Sequence, residues 1–161
     1  MKKTWTLSLL TLFLLSTAHA AALTNKQALK GLSKVDIVCD ITVGDPQRLI
    51  ARMVFLDETY TQLLDAGVKP RIVMVFRGPA SRFVTRTDRY IKPAQRKYRL
   101  EMADWIAHFG RLGFVIEQCG IAAKSNGIDR KDFLPQVRLV ANGYVSLVGY
   151  QSRGYALLPM D

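Results

Sequence analysis

"SKVDIVCDITVGDPQRLIARMVFLDETYTQLLDAGVKPRIVMVF", residues 33–76, sets the class of the chain. In its first part Val35, Ile37, Cys39, Ile41 and Val43 alternate onto one side, which is the pattern of a strand over 33–43. The spacing then changes. Leu49, Met53, Leu56, Tyr60 and Leu63 recur at steps of four and three, predicting a helix over 46–66 with Asp45 as N-cap, Pro46 in its first position and Gly67 just past its end. "RIVMVF" (71–76) returns to a short β-branched run. A strand, a helix and a strand in that order imply neighbouring parallel strands with the helix packed on the sheet.

The same alternation continues downstream. "FVIEQC" (114–119), "VRLVA" (137–141) and "YALLP" (155–159) read as three more strands. A second helix is expected over 95–112, where Tyr98, Met102, Trp105, Phe109 and Leu112 share a face and Gly113 closes it. A third is expected from Asn142 to Arg153, with Tyr144, Val145, Leu147 and Val148 inward and Gly154 as its stop. The expected fold is α/β, a three-layer α/β/α sandwich around a mostly parallel five-stranded sheet. One domain over 34–161 fits a chain of 161 residues that is 49% hydrophobic.

The amino terminus has a different character. Lys2 and Lys3 precede the apolar run Leu7–Leu15, and Ala18-His19-Ala20 offers small residues at a cleavage site, so residues 1–20 read as a secretory signal peptide. Ala21 rather than Cys follows the cut, which argues against a lipid anchor, and residues 21–33 form an N-terminal lead. No later stretch reaches the roughly 18 apolar residues of a membrane helix, so no transmembrane span is expected after signal removal. A soluble periplasmic protein is expected. Removing Lys2 and Lys3 from the 23 basic residues leaves 21 against 13 acidic ones, a balance of +8. With export and no recognition motif, nucleic acid is a poor partner for that charge; small anions or an acidic protein partner suit it better.

Ligands of open α/β sheets bind at the carboxyl ends of the strands. Four exits therefore matter, and each carries a glycine through which backbone N–H groups can approach a ligand: Gly44-Asp45, Arg77-Gly78-Pro79, Cys119-Gly120 and Asn142-Gly143. Cys119 is the one conventional nucleophile falling immediately at a strand end. It reads either as a reactive thiol favoured by the helix start after it, or as a small buried hydrophobe. Cys39, in mid-strand on the core face, reads as core; a 39–119 disulfide in an exported protein stays open as an alternative.

Other chemistries find no support. His108 shares a helix face with Glu101, Asp104 and Arg111 and is expected to be solvated, leaving no partner for a Ser-His-Asp set or a zinc cluster. No metal and no cofactor are indicated, because GxGxxG and P-loop patterns are absent. "SRFVTRTDRYIKPAQRKYR" (81–99) sets seven cations against Asp88. It reads as a solvated loop and helix start, or as an electropositive collar near the strand ends, with Tyr90 and Tyr98 free for a subunit contact.

Taken together, "VDIVCDITVGDP", "VFRGPASRF", "LGFVIEQCGIAAKSNGI", "DFLPQVRLVANG" and "YQSRGYALL" resemble the DsrE/DsrF-like family, from about Lys34 to Leu158. The resemblance implies five parallel strands, assembly as a homotrimer or homohexamer and, in sulfur-relay members, a cysteine that carries sulfane sulfur as a persulfide. Cys119 is the matching residue. Arg77 departs from the family pattern, standing where a His often precedes Gly-Pro, and export is a second departure. Two functions follow: sulfur exchange with a donor or acceptor through Cys119, with Gly44, Asp45, Arg77, Gly78, Pro79, Gly120, Asn142 and Gly143 forming the pocket, or a non-catalytic oligomeric module that binds a small anion or a protein.

Overall fold

The structure, a computed structural model, describes residues 23–161. The signal peptide expected over 1–20 lies outside the described residues. The elements are β1 (Lys34–Ile41), α1 (Pro46–Asp65), β2 (Lys69–Phe76), α2 (Arg96–Arg111), β3 (Val115–Cys119), α3 (Gly120–Ser125), β4 (Arg138–Val140), α4 (Gly143–Ser152) and β5 (Ala156–Met160). Short 3-10 turns fill the stretch between β2 and α2. All five strands are parallel, in the order β4-β3-β2-β1-β5, with helices on both faces. The expected α/β/α sandwich is the observed fold.

The two faces of the sheet are unequal. On one, Ile37, Cys39 and Ile41 join Met74, Phe76 and Ile116 beneath Leu49, Met53 and Leu56 of α1 and Met102, Ile106 and Phe109 of α2. On the other, Val38, Val73 and Val75 lie beneath Leu147 of α4. Burying the alternate residues of a strand on both sides accounts for the nearly continuous apolar sequence of β2.

Several expectations change at this level. Of the four α4 residues expected inward only Leu147 is buried; Tyr144, Val145 and Val148 are 62%, 67% and 63% exposed. Gly143 is buried against the sheet, and with Leu147 one turn later it sets the rotation of the helix, so Val145 and Val148 swing outward. On α2 the buried line is Arg99, Met102, Ile106 and Phe109, while Tyr98, Trp105 and Leu112 are half-buried at its rim. His108 is not simply solvated. Its Nε2 lies 2.6 Å from Asp57 Oδ1 and ties α2 to α1.

The basic stretch is a chain of short turns leading into the start of α2, and it is not wholly solvated. Arg99 is buried, with its guanidinium on Asp88 and the Thr85 carbonyl, and Arg96 pairs with Asp88 at 3.0 Å. Tyr90 donates to Asp132 at 2.6 Å and Tyr98 accepts from Gln47 at 2.8 Å, so both hydroxyls have internal partners. In the lead, residues 26–31 form turns and Leu29 packs against the main core.

Both cysteines are free. Register places Cys39 beside Met74 and Met74 beside Ile116, so these three share a face. Cys119 lies three residues beyond Ile116 and points to the opposite face. A 39–119 disulfide would have to pass through the sheet.

Burial pushes the Cys39 thiol up to about 12 from a reference of 9.0. The fold accepts only the neutral thiol, so the stability that depends on it is complete below about pH 9 and is lost as the pH rises through about 12. Urea midpoints of wild type and Cys39→Ala, compared point by point across that window, should show the wild type losing more stability than the variant as pH increases; parallel curves would contradict it.

Candidate functional site

Three glycines bring the strand exits together. A Cβ on Gly44 would lie 2.7 Å from the Pro79 Cβ, so the β1 exit rests directly on the β2 exit. A Cβ on Gly120 would lie 2.8 Å from the Val140 carbonyl oxygen and 3.2 Å from that of Ala141, which seats the start of α3 on the β4 exit. A Cβ on Gly143 would lie 2.9 Å from both Arg77 Cδ and Cys119 Cβ. Only a residue without a side chain lets the first turn of α4 descend this far. Gly78 adds a left-handed turn at φ +50°, and its carbonyl accepts from Asn126 Nδ2 at 3.1 Å.

Cys119 is therefore covered by Gly143, which packs on Arg77 as well. It is the N-cap of α3, its side chain makes no capping bond, and it is 3% exposed. Arg77 is already paired: Nε donates to Asp40 Oδ1 at 2.7 Å and Nη2 to Oδ2 at 2.6 Å. The Asp40 carboxylate holds the guanidinium protonated, above its ordinary range. The Tyr144 ring covers it, 4.0 Å from the guanidinium carbon to the ring centroid, a contact worth about 0.5–1 kcal/mol at an exposed site.

A second acid lies in the same row. Register aligns Asp40 with Val75 and Val75 with Glu117, so both carboxylates lie on the α4 side, one step before Arg77 and Cys119. Glu117 is buried, bonded through Oε1 to Arg138 and to the Tyr150 hydroxyl, which donates at 2.9 Å. Burial and the neighbouring Glu117 push the Tyr150 phenol up. Two acid, arginine and tyrosine trios thus stand under α4, with Cys119 beside one and two residues after the acid of the other. Glu117 Oε2 and Gln118 Oε1 are buried with no partner among the described residues.

Of the nine residues expected at the site, Gly143 packs against both Cys119 and Arg77, and Gly44 against Pro79. Gly120 faces the β4 exit. Asp45 and Asn142 are helix caps: Asp45 accepts from Arg48 N at 2.8 Å and Asn142 from Tyr144 N at 2.9 Å. Sequence reasoning missed Asp40, Tyr144, Glu117 and Tyr150. A signal existed for Asp40, since an acid alternating with Val38 on a strand face that must be buried demands a cation. Among the described residues no group of three or more His, Cys, Asp and Glu side chains gathers to hold a metal ion, and no helix is long and apolar enough to cross a membrane.

Comparison with known proteins adds two findings. The sequence model of the DsrE/DsrF-like family matches residues 13–160. Among solved structures, the protein of unknown function MTH1491 from Methanobacterium thermoautotrophicum superposes with a TM-score of 0.63 at 18% identity, covering 78% of this chain and 98% of its own. That likeness is one of fold. No curated protein matches.

Gly143→Ala should cost about 1–3 kcal/mol, the range for overpacking a closed contact, because its methyl would meet Arg77 and Cys119 at 2.9 Å. Denaturant unfolding measures this, with Gly149→Ala on the same helix as the control, since a Cβ there meets nothing within 4 Å. Equal stability of the two variants would mean that the contact does not hold α4 in place.

Proposed function

The chain belongs to the DsrE/DsrF-like family, and from that membership, which supports a sulfur-relay-related role, we propose that it handles sulfane sulfur through a persulfide on Cys119. The observation that carries this reading is the position of Cys119 where the strand exits converge, against Gly143, which Arg77 also meets. Thiosulfate illustrates the step. The Cys119 thiolate, its proton lost to solvent, attacks the outer sulfur; a new S–S bond forms, the bond to the sulfonate sulfur breaks, and sulfite leaves with the electron pair. An acceptor thiolate then attacks the outer sulfur of the persulfide, and Cys119 departs as thiolate.

In this scheme the first amides of α3, from Gly120 onward, face the anion, since helix-start N–H groups lack partners within the helix. Arg77, Gly78 and Pro79 frame the pocket, and Gly44 and Gly143 let its walls close. Asp45 and Asn142 act indirectly, by fixing the helix starts. The protein works in the periplasm, where its donor and acceptor are exported or diffusible species.

A second reading, a non-catalytic module binding a small anion or an acidic protein, draws on the burial of Cys119 and the pairing of Arg77 with Asp40. Both readings include a homotrimer or homohexamer. Support for assembly comes from α4, which leaves Tyr144, Val145 and Val148 outward on the face of the sheet where Leu147 is its one buried large side chain.

Intact mass after exposure to polysulfide or thiosulfate should show the weight of one added sulfur on Cys39→Ala protein, removable by reductant and missing from Cys119→Ser. Iodoacetamide should alkylate Cys119 in the folded Cys39→Ala protein, and prior exposure to polysulfide should block it. An inert thiol with no adduct would leave the binding module standing instead.

Light scattering coupled to size exclusion should report a trimer or hexamer for the wild type. Val145→Asp combined with Val148→Asp should yield a folded monomer. A wild-type monomer, or a variant whose assembly is unchanged, would remove α4 as the contact.

A further inference from the structure

A cleft of about 530 Å3 opens beside the basic stretch, lined by Arg82, Arg89, Tyr90, Ile91, Lys92, Gln95 and Asn126. No acid lines it. Its character follows from which polar atoms are already engaged. Asn126 Oδ1 accepts from Arg82 Nε at 2.9 Å, and its Nδ2 donates to the carbonyls of Gly78 and Ala122. Gln95 Oε1 accepts from the Lys92 amide at 3.0 Å. The Tyr90 hydroxyl donates to Asp132 and accepts from Asp129 N at 3.1 Å. Every side-chain acceptor of the lining therefore has an internal partner.

What remains is donors. Arg82 keeps both terminal nitrogens, and no carboxylate lies within 4.0 Å of it among the described residues. Lys92 Nζ and Gln95 Nε2 make no bond within the described residues. Arg89 is only loosely compensated, 3.5 Å from Asp132, which Tyr90 also engages. The guanidinium of Arg82 is held by a neutral amide that is itself tied to the β2 exit and α3, so its position is fixed while its charge stays uncompensated. Three cations and an amide donor converging on one cleft suit a ligand that only accepts hydrogen bonds and carries more than one negative charge. The volume is that of a small-molecule site rather than of an extended protein contact.

We propose that this cleft binds a doubly charged tetrahedral oxyanion of the sulfate, thiosulfate or phosphate class, free or as the head of a small organic ester. The site does not involve Cys119 and stands or falls apart from the persulfide reading.

Calorimetric titration with sulfate, thiosulfate and phosphate at constant ionic strength, with chloride as the control, tests it. Saturable one-site binding is expected, weakened about tenfold in Arg82→Gln, as for loss of one charge-assisted hydrogen bond. Lys92→Gln, whose side chain supports no internal bond, should weaken it similarly with the fold intact by circular dichroism. Cys119→Ser, which cannot take sulfur from thiosulfate, should bind sulfate and phosphate as the wild type does. Phenyl phosphate binding more tightly than inorganic phosphate would mark the site as one for an ester head group, and equal binding as one for the free ion. No saturable binding, binding unchanged in both cation variants, binding lost in Cys119→Ser, or binding of a short polyglutamate peptide in place of the oxyanions would overturn the proposal.

Discussion

The descent of α4 onto the sheet at Gly143 is the contact from which the geometry of the site follows. Because no side chain intervenes, the helix start approaches both Arg77, just past β2, and Cys119 on β3. That approach sets the rotation of α4, brings Tyr144 over the Arg77 guanidinium and Tyr150 onto Glu117, and closes the space above the thiol. The caps on either side of this arrangement, Asp45 and Asn142, hold the helices at the depth the glycines permit.

The two faces of the sheet do different work. The α1 and α2 side is a deep apolar core, and Cys39 within it is held neutral by burial. The α4 side carries a small apolar cluster, the buried carboxylate of Glu117 and the half-buried one of Asp40, each neutralised by an arginine and touched, directly or through that arginine, by a tyrosine of α4. Charge buried on this side is tolerated because every acid has a cation within bonding distance; removing one partner would strand the other. Arg77 is thereby committed to Asp40, with both Nε and Nη2 engaged.

The basic stretch between β2 and α2 obeys the same rule with a different result. Some of its cations are internal partners, Arg99 above all, which is buried and bonded to Asp88 and the Thr85 carbonyl. Others, Arg82 and Lys92, stay uncompensated around a cleft. A run of like charges in sequence thus divides into structural and available groups, and the division depends on where Asp88, Asp129 and Asp132 fall in space.

Strand and helix periods, the Asp45-Pro46 start and the glycine stops made the sandwich and nearly all its elements legible, because they depend on local backbone preference and on burial repeating at fixed intervals. Alternation likewise placed Cys39 in the core, and position alone put Cys119 at a strand end. The rotation of α4, the pairing of Arg77 with Asp40, the Glu117 trio and the His108 to Asp57 contact could not be obtained that way. Each joins residues on different elements whose relative depth and angle are set by packing, chiefly by how closely a glycine lets one backbone approach another. Periodicity says that a helix has an inward side; which residues occupy it at α4 was settled by the contact at Gly143.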